Sequence, residues 1–323
     1  MIKKFLVFVC FGSLIPLLAF PQGKKMNIQE ALATHGAKAF RGVPHLDEFS
    51  PLWWSNSELE TIDSTRLEVV YDLKYRREHR VGNYWEMLTI LQIGTVWQKY
   101  YSMIRQFTDD IQREVSGVAK GIAAVPGVGY QHQFTEEELR IKEIAGKDFM
   151  NCEIWIEWPV RRLAERAHAF DKQNVSIEYE EPVPMIEWQL TEKTDTIAGC
   201  ACFLATTHFR GRDWNVWFDP TIPINSGPWK LNGLPGLVLK AEDSEQDYIW
   251  TCQSITQERK PIVYYKVEQR LMERKKWQRY FRQVHEDPVT ILGDGGNYLF
   301  FHGTNLIQEE DGWTLPYNPI ELE

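Results

Sequence analysis

Two arginines, one on each side of a glycine, are the residues of this sequence best suited to binding an anion. Arg210 and Arg212 flank Gly211, and a guanidinium can hold a carboxylate or a phosphate through two parallel hydrogen bonds. An arginine beside a turn more often pairs with a local acid, and the chain offers three such acids nearby: Asp213, Asp219 and Asp243. We therefore treat the two arginines as candidate ligand-binding residues, with a structural ion pair as the favoured interpretation.

Three tryptophans close to these arginines could line a binding face. Trp214 and Trp217 follow directly, and Trp229 comes after a short proline-rich stretch. A large aromatic side chain on a half-buried strand usually packs inward. At least one of the three is expected to be a core residue, and the set remains a candidate for ligand binding.

Familiar catalytic patterns are absent from the sequence. There is no Gly-x-Ser-x-Gly turn for a serine nucleophile and no His-Glu-x-x-His zinc helix. The run His285-Glu286-Asp287 is interpreted as the end of a helix with solvated acids. We expect no catalytic residues, no cofactor and no metal, and an enzyme only if a hydrolase uses an unfamiliar site.

A turn with two glycines, Gly233 to Gly236, resembles a phosphate-binding loop only superficially. Such a loop is followed by a helix whose amide groups face the anion. Here the alternation of residues after Gly236 predicts a strand, so the turn is expected to be structural.

Four cysteines follow the first twenty residues, and they are candidates for disulfide bonds: Cys152, Cys200, Cys202 and Cys252. Cys200 and Cys202 share one face of a strand and cannot bond to each other, so the pairing stays open. A zinc site is disfavoured because the Cys-x-Cys pair lacks a nearby histidine or a second Cys-x-x-Cys.

The elements that must position these residues are mostly strands. Residues 203–209 and 212–218 alternate with a period of two around Gly211, which predicts an antiparallel hairpin. Further strands are predicted at 66–76, 84–95, 97–102, 152–158, 175–180, 186–190, 237–241 and 248–256. Helical spacing predicts helices at 102–121 and 262–284. Residues 136–144 are a candidate for a short helix, and 160–170, rich in arginine, alanine and glutamate, for a short helix or an inserted loop. The fold class expected is α+β, with a curved antiparallel sheet wrapped around two substantial helices, similar to the half-barrel of bacterial lipoprotein carriers.

Composition and the N-terminus indicate an exported protein. The chain has 323 residues with 43% hydrophobic and 25% charged residues, which is ordinary for a soluble globular protein. Lys3 and Lys4 precede a short apolar run, which predicts a signal peptide at 1–22; 23–62 then forms an extension and 63–323 a single domain. A net charge of −9 argues against nucleic acid as a partner, and no later segment is apolar enough for a membrane helix.

Several short motifs resemble the GLPGLI family of secreted Bacteroidetes proteins. The matching residues of the central motif are Gly227, Pro228, Trp229, Gly233, Leu234, Pro235, Gly236 and Leu237. Further matches are Trp188, Gly199 with Cys202, Ala205-Thr206, 209–212, Trp217-Phe218, 222–224 and the terminal 317–321. Val238 departs from the isoleucine of the family name. The resemblance implies a periplasmic or secreted location, and it implies no reaction.

Three functions are compatible with these observations. The leading hypothesis is a non-catalytic periplasmic binding or accessory protein that holds an apolar ligand or an extended peptide. An alternative is an interaction protein that docks an outer-membrane partner through an exposed strand edge or the tail at 317–323. The third is a hydrolase with an unrecognised site, to which Arg212 or His208 would contribute.

Overall fold

The structure is a computed structural model that describes residues 58–103, 152–168, 175–288, 301–302, 305–306 and 314–323. Within these ranges the chain is mostly strand. The strands are β1 (Glu58–Ser64), β2 (Leu67–Tyr75), β3 (Trp85–Ile93), β4 (Trp97–Ser102), β5 (Cys152–Glu157), β6 (Arg162–His168), β7 (Val175–Pro182), β8 (Gln189–Ile197), β9 (Cys200–Phe209), β10 (Arg212–Asp219), β11 (Leu237–Asp243), β12 (Tyr248–Thr256), β13 (Pro261–Lys266), β14 (Glu268–Leu271), β15 (Phe301–His302) and β16 (Asn305–Leu306). Helix α1 spans Arg274–Glu286.

Twelve of these strands form one open sheet. Its order is β14-β7-β6-β5-β4-β3-β2-β12-β11-β10-β9-β8. All pairs are antiparallel except β14 with β7, which is parallel. Neighbours in sequence are mostly neighbours in space, and the N- and C-terminal halves meet where β2 pairs with β12. The sheet therefore ends at β14 on one side and at β8 on the other.

The period-two patterns correctly predicted the hairpins. β9 and β10 pair in register from Phe209 opposite Arg212 to Phe203 opposite Phe218. β2 pairs with β3, and β11 pairs with β12, as the alternation of apolar residues indicated. Gly211 has a φ of +78°, and a Cβ there would lie 2.8 Å from the Cβ of Leu322. The β9–β10 turn thus needs glycine both for its backbone conformation and for the approach of the C-terminal residues.

The predicted α+β class with two substantial helices is wrong. The segment 262–284 contains β13 and β14, and the helix begins only at Arg274. The apolar residues at 263, 267 and 271 have helical spacing, but Val263, Tyr264 and Tyr265 also favour a strand. Pairing decided the outcome, because β13 binds β1 in a separate two-stranded sheet and β14 extends the large sheet. Helices wrapped by a half-barrel are therefore not the architecture of the described residues.

The helical candidate at 160–170 was also wrong, because its central residues form β6. Alanine, arginine and glutamate favour a helix when taken alone, but β6 lies between β5 and β7, and hydrogen bonds to both of them hold it in the sheet. The other two predicted helices, 102–121 and 136–144, lie outside the described residues, except that Ser102 ends β4 and Met103 is helical.

The main core lies on one face of the sheet, under the proline- and glycine-rich loop between β10 and β11. Trp214 and Trp250 project from strands and Trp229 from the loop, and all three side chains are fully buried. Their rings pack in a row, with Trp214 5.6 Å from Trp229 and 5.9 Å from Trp250 between centroids. Aromatic contacts of this kind stabilise the fold beyond the contribution of the area that the rings bury. The loop is therefore part of the core.

Helix α1 covers the same face further along, where it packs on β7. Trp277 contacts the ring of Tyr179 edge-on, with centroids 5.3 Å apart, and Val284 is buried in the last turn. The C-terminal segment, which we define as residues 314–323, runs between α1 and the sheet. In the part of the chain that the structure describes, no helix is long and apolar enough to cross a membrane.

Candidate functional site

A pocket opens between the sheet, helix α1 and the C-terminal segment. Its volume is about 140 Å³. Five aromatic side chains contribute to its walls: Tyr75, Tyr248, Trp277, Phe281 and Tyr317. The remaining lining includes charged and polar groups, among them Arg77, Glu165, His285 and Glu321. Strands from both halves of the sheet, the helix and the chain terminus must all be in place before this pocket exists.

The aromatic walls are packed against one another. Tyr75 and Tyr248 lie on paired strands with stacked rings, 6.1 Å between centroids. On α1, Trp277 and Phe281 are one turn apart, with centroids separated by 4.9 Å. Such ring-to-ring contacts hold the side chains in fixed rotamers, so the walls keep their shape without a ligand.

A buried lysine organises the acidic end of the pocket. The Nζ atom of Lys230 lies 2.5 Å from Oε2 of Glu165 and 2.5 Å from Oε1 of Glu321, and it also donates to the hydroxyl of Tyr179. Burial alone would lower the pKa of Lys230, but Glu165 and Glu321 raise it above its usual value. We call Lys230, Glu165, Tyr179 and Glu321 the lysine cluster.

Two arginines lie beside the lysine cluster. Arg274 of α1 binds Glu321, and Arg210 holds Glu181 with its Nη2 atom 2.6 Å from both carboxylate oxygens. Burial raises the pKa of Glu321, but Lys230 and Arg274 outweigh it and lower that pKa below the ordinary value. Glu321 is therefore ionised and fixed in position, and the C-terminal segment is held to both the loop and the helix.

Arg212 anchors the C-terminal segment at a second point. Its Nη1 atom donates to Asp243 at 2.8 Å, and its Nη2 atom donates to the side chain of Asn318 at 2.8 Å and to the carbonyl oxygen of Pro319 at 2.7 Å. Nε completes the set by donating to the carbonyl oxygen of Ile320 at 3.0 Å. Arg212 thus recognises a peptide, and that peptide is the chain's own terminus.

None of the ligand-binding residues predicted from the sequence lines the pocket. Arg210 and Arg212 are engaged in the ion pairs just described, with Asp243 as one of the acids expected for them. Trp214 and Trp229 are core residues, while Trp217 is half-buried beneath the ammonium group of Lys240. Arg210 and Arg212 support the pocket indirectly, by fixing the segment that forms one of its walls.

The glycine-proline motif lies close against the backbone and side chains of the neighbouring strands. A Cβ on Gly236 would lie 2.3 Å from the carbonyl oxygen of Asp219, and one on Gly227 would lie 2.7 Å from the Cβ of Val238. β11 follows the motif, and no helix begins there. The motif therefore packs the loop tightly on the sheet, and it places Trp229 in the core and Lys230 in the lysine cluster. The motif residues Pro228, Gly233, Leu234, Pro235 and Leu237 complete this packed segment, with Leu234 and Leu237 buried.

The four candidate cysteines lie on described strands: Cys152 on β5, Cys200 and Cys202 on β9, and Cys252 on β12. Cys202 and Cys252 are buried in the main core. Cys152 and Cys200 are half-buried, and Cys152 lines the pocket. Among the described residues no group of histidine, cysteine or acidic side chains is arranged to hold a metal ion.

The basic end of the pocket carries Arg77 and His285. The guanidinium of Arg77 lies over the ring of Trp85 at 4.4 Å, and burial lowers its pKa to about 10. The Nδ1–H group of His285 donates to the carbonyl oxygen of Phe281 at 2.7 Å, and its ring lies 4.6 Å from that of Tyr317. Burial, with a smaller contribution from the charge of Arg77, lowers the pKa of His285 to about 4, so this histidine is neutral at pH 7.

Sequence reasoning missed most of these residues. Glu321 belongs to the terminal stretch of the family resemblance, and Lys230 directly follows the motif residue Trp229. A lysine between Trp229 and Leu231 was a signal that it needed a buried partner. Glu165 was hidden by the mistaken helix. His285 was interpreted as a helix end, which is its actual place in the chain, but nothing local indicated that the C-terminal segment would cover it.

Comparisons with known proteins give little further guidance. No protein-family model matches the chain, and no curated protein matches it. Among solved structures, two of PNGF-II in different space groups resemble it with TM-scores of 0.43 and 0.45 and 12% identity. They match 67% and 69% of this chain, which spans only 32% and 34% of theirs. A likeness of this size carries no argument about fold or function.

Proposed function

We propose that this protein is an exported binding protein of the GLPGLI type, which holds a small apolar group in the pocket between the sheet, helix α1 and the C-terminal segment. The group is a free ligand or one side chain of an extended peptide. The single observation that carries the proposal is the aromatic pocket with its volume of about 140 Å³. The proposal assigns the protein no reaction.

The size of the pocket indicates what it can take. An apolar cavity of about 150 Å³ accommodates one benzene molecule, so the present pocket suits a single ring or a branched aliphatic group. Because Tyr75, Tyr248 and Trp277 are already packed by their neighbours, little side-chain freedom would be lost on binding, and preformed walls favour affinity.

The charged groups at the acidic end support binding better than catalysis. Glu165 and Glu321 both contact the ammonium group of Lys230, and Glu321 is also bound by Arg274. A general acid or base must be able to gain and lose a proton near the working pH. Lys230 raises no such possibility, because its pKa is held above the ordinary value, and the pKa of Glu321 is held below its own. That arrangement serves to hold a wall of the pocket in place.

A native sample provides the first test. The protein would be taken gently from the cells that express it, analysed by native mass spectrometry and then extracted with organic solvent. A bound mass that is present only in the folded sample would support the proposal and identify the ligand.

A probe experiment with a matched control follows. Purified protein would be titrated with benzyl alcohol, and binding would be followed by thermal stabilisation and by ligand-observed NMR. Cys152→Met should fill the pocket and abolish binding, whereas Cys200→Met, at the other half-buried thiol, should not. If neither the extract nor the titration reveals a bound molecule, the proposed function is wrong.

A second candidate function rests on β8, where the sheet of described strands ends. β8 is exposed along almost its whole length; Leu190 within it and Met185 before it are 62% and 89% exposed. An extended segment of an outer-membrane partner could add to such an edge. Leu190→Asp should then abolish co-purification with that partner and leave folding intact. The tail at 317–323 is the weaker docking element, since Arg212, Lys230 and Arg274 already bind it within the molecule.

A further inference from the structure

We infer that the ligand of this pocket is a phenol, whose hydroxyl group donates a hydrogen bond to the Oε1 atom of Glu165. This inference rests on the proposed binding function and names the chemical class of the ligand. It concerns the acidic end of the pocket, where Glu165 of β6 forms part of the wall.

The two oxygens of the Glu165 carboxylate have different surroundings. The hydroxyl of Tyr179 donates to Oε2 at 2.7 Å, and the Nζ atom of Lys230 lies 2.5 Å from the same oxygen. Among the described residues neither contact involves Oε1, and Oε1 is not one of the fully buried atoms that lack a hydrogen bond. Because the side chain is only 10% exposed and lines the pocket, Oε1 is the acceptor that a ligand in the pocket can reach.

The other carboxylate of the acidic end is bound on both of its oxygens. Oε1 of Glu321 lies 2.5 Å from Nζ of Lys230. Oε2 accepts from Nε of Arg274 at 2.8 Å and from Nε2 of Gln278 at 3.4 Å. Glu321 is thus occupied in holding the C-terminal segment, and the role of acceptor for a ligand belongs to Glu165.

The charge balance of the acidic end favours a neutral donor over a cation. Two carboxylates, Glu165 and Glu321, contact two cationic side chains, Lys230 and Arg274. An ammonium group buried beside them would leave a surplus positive charge, which is costly away from water. A hydroxyl supplies the hydrogen bond without adding charge, and a hydrogen bond to a carboxylate is stronger than one between two neutral groups.

An aromatic wall lies next to this acceptor. Tyr179 is the partner of Glu165 across β6 and β7, and the ring of Trp277 packs edge-on against the ring of Tyr179, with centroids 5.3 Å apart. Trp277 and Glu165 both line the pocket, whose volume of about 140 Å³ suits one ring. A single ring packed against Trp277 can therefore direct a hydroxyl at Glu165, and phenol is the smallest molecule of that form.

Probes that share one ring but differ in their polar group test this inference. Phenol, toluene and benzylammonium would be titrated into the full-length protein at pH 7, where phenol is neutral. We expect phenol to bind at least about tenfold more tightly than toluene, from one hydrogen bond to a charged acceptor, and benzylammonium to bind more weakly than phenol. An apolar cavity alone would favour toluene, because a hydroxyl that leaves water without a partner loses free energy of hydration.

The outcomes of this titration separate the inference from the proposed function. Binding of toluene as tightly as phenol, or more tightly, would refute the inference and leave the proposed function standing. Failure of all three probes to bind would refute both.

A pair of variants tests the role of Glu165. Glu165→Gln should reduce the ratio of phenol affinity to toluene affinity by about fivefold or more, because a neutral amide accepts a weaker hydrogen bond than a carboxylate. The control is Glu181→Gln, since Glu181 is another acid near Lys230, at 4.0 Å, that does not line the pocket. This variant should keep the ratio. An unchanged ratio in Glu165→Gln, or equal losses in the two variants, would overturn the inference.

Two amino-acid amides distinguish a free phenol from a tyrosine side chain of a peptide. If the hydroxyl belongs to a peptide, N-acetyltyrosinamide should bind at least as tightly as phenol and more tightly than N-acetylphenylalaninamide. If the ligand is a free phenol, the pocket should bind phenol and exclude both amides. Tighter binding of the phenylalanine derivative than of the tyrosine derivative would contradict the hydrogen bond to Glu165.

Discussion

Replacing Lys230 with methionine should destabilise the protein more than any change of similar size on the surface. The side chain of Lys230 is fully buried and lies within 2.5 Å of two carboxylates. Lys230→Met keeps much of the volume of the side chain but leaves Glu165 and Glu321 facing each other without their shared cation. Removing one partner of a buried ion pair typically costs about 3–5 kcal/mol, and we expect a loss in that range.

The assay is urea unfolding followed by tryptophan fluorescence, to which the buried core tryptophans Trp214 and Trp229 contribute. With an m value of about 3 kcal/mol/M, the midpoint should fall by about 1–2 M. The matched control is Lys240→Met, because Lys240 also pairs with a glutamate and covers a tryptophan but is partly exposed. That change should cost about 1 kcal/mol or less.

A compensating variant separates charge from packing. If the cost of Lys230→Met arises from two buried carboxylates that have lost their shared cation, adding Glu165→Gln and Glu321→Gln should recover part of the lost stability. Independent sites would instead show costs that add. A loss below about 1 kcal/mol for Lys230→Met, or strictly additive losses in the triple variant, would refute this account of the lysine cluster.

Three further predictions concern the C-terminal segment and the pocket. Arg212→Met should lower the free energy of unfolding by about 3–5 kcal/mol, again through the loss of a buried ion pair. Limited proteolysis should then cleave the C-terminal segment. Continued protection of that segment would contradict the role of Arg212 as its anchor. Gly211→Ala should destabilise the protein more than Gly82→Ala, although the φ angles of the two glycines are +78° and +79°. The reason is that only the new methyl group at position 211 would meet Leu322. Removing residues 322–323 from both variants should therefore make their losses in thermal stability equal. Burial lowers the pKa of His285 from its ordinary 6.5 to about 4, so the unfolded chain takes up this proton first. Stability measured by urea unfolding should therefore fall between pH 6.5 and pH 4, by at most about 3 kcal/mol. If the unsubstituted protein and His285→Gln show the same pH dependence, the histidine is not its source.

Local patterns were enough to predict many of the strands and the tight turn at Gly211. In 203–218 the side chains alternate between buried and exposed faces, a signal that does not depend on which strand lies beside the hairpin. A glycine between the two runs identified the turn for an equally local reason, since the backbone there has positive φ. The motif around Gly236 was predicted to be a structural turn because a strand follows it, and β11 does.

Partners distant in sequence decided the rest. Residues 261–271 form strands because β1 and β7 are available to pair with them, which helical spacing within the segment could not reveal. Glu165, Lys230 and Glu321 are separated by many tens of residues, and only the tertiary structure brings their charges within contact. The pocket is likewise formed jointly by two halves of the sheet, helix α1 and the C-terminal segment, since a cavity is a property of elements packed together and no single stretch of sequence encodes its shape.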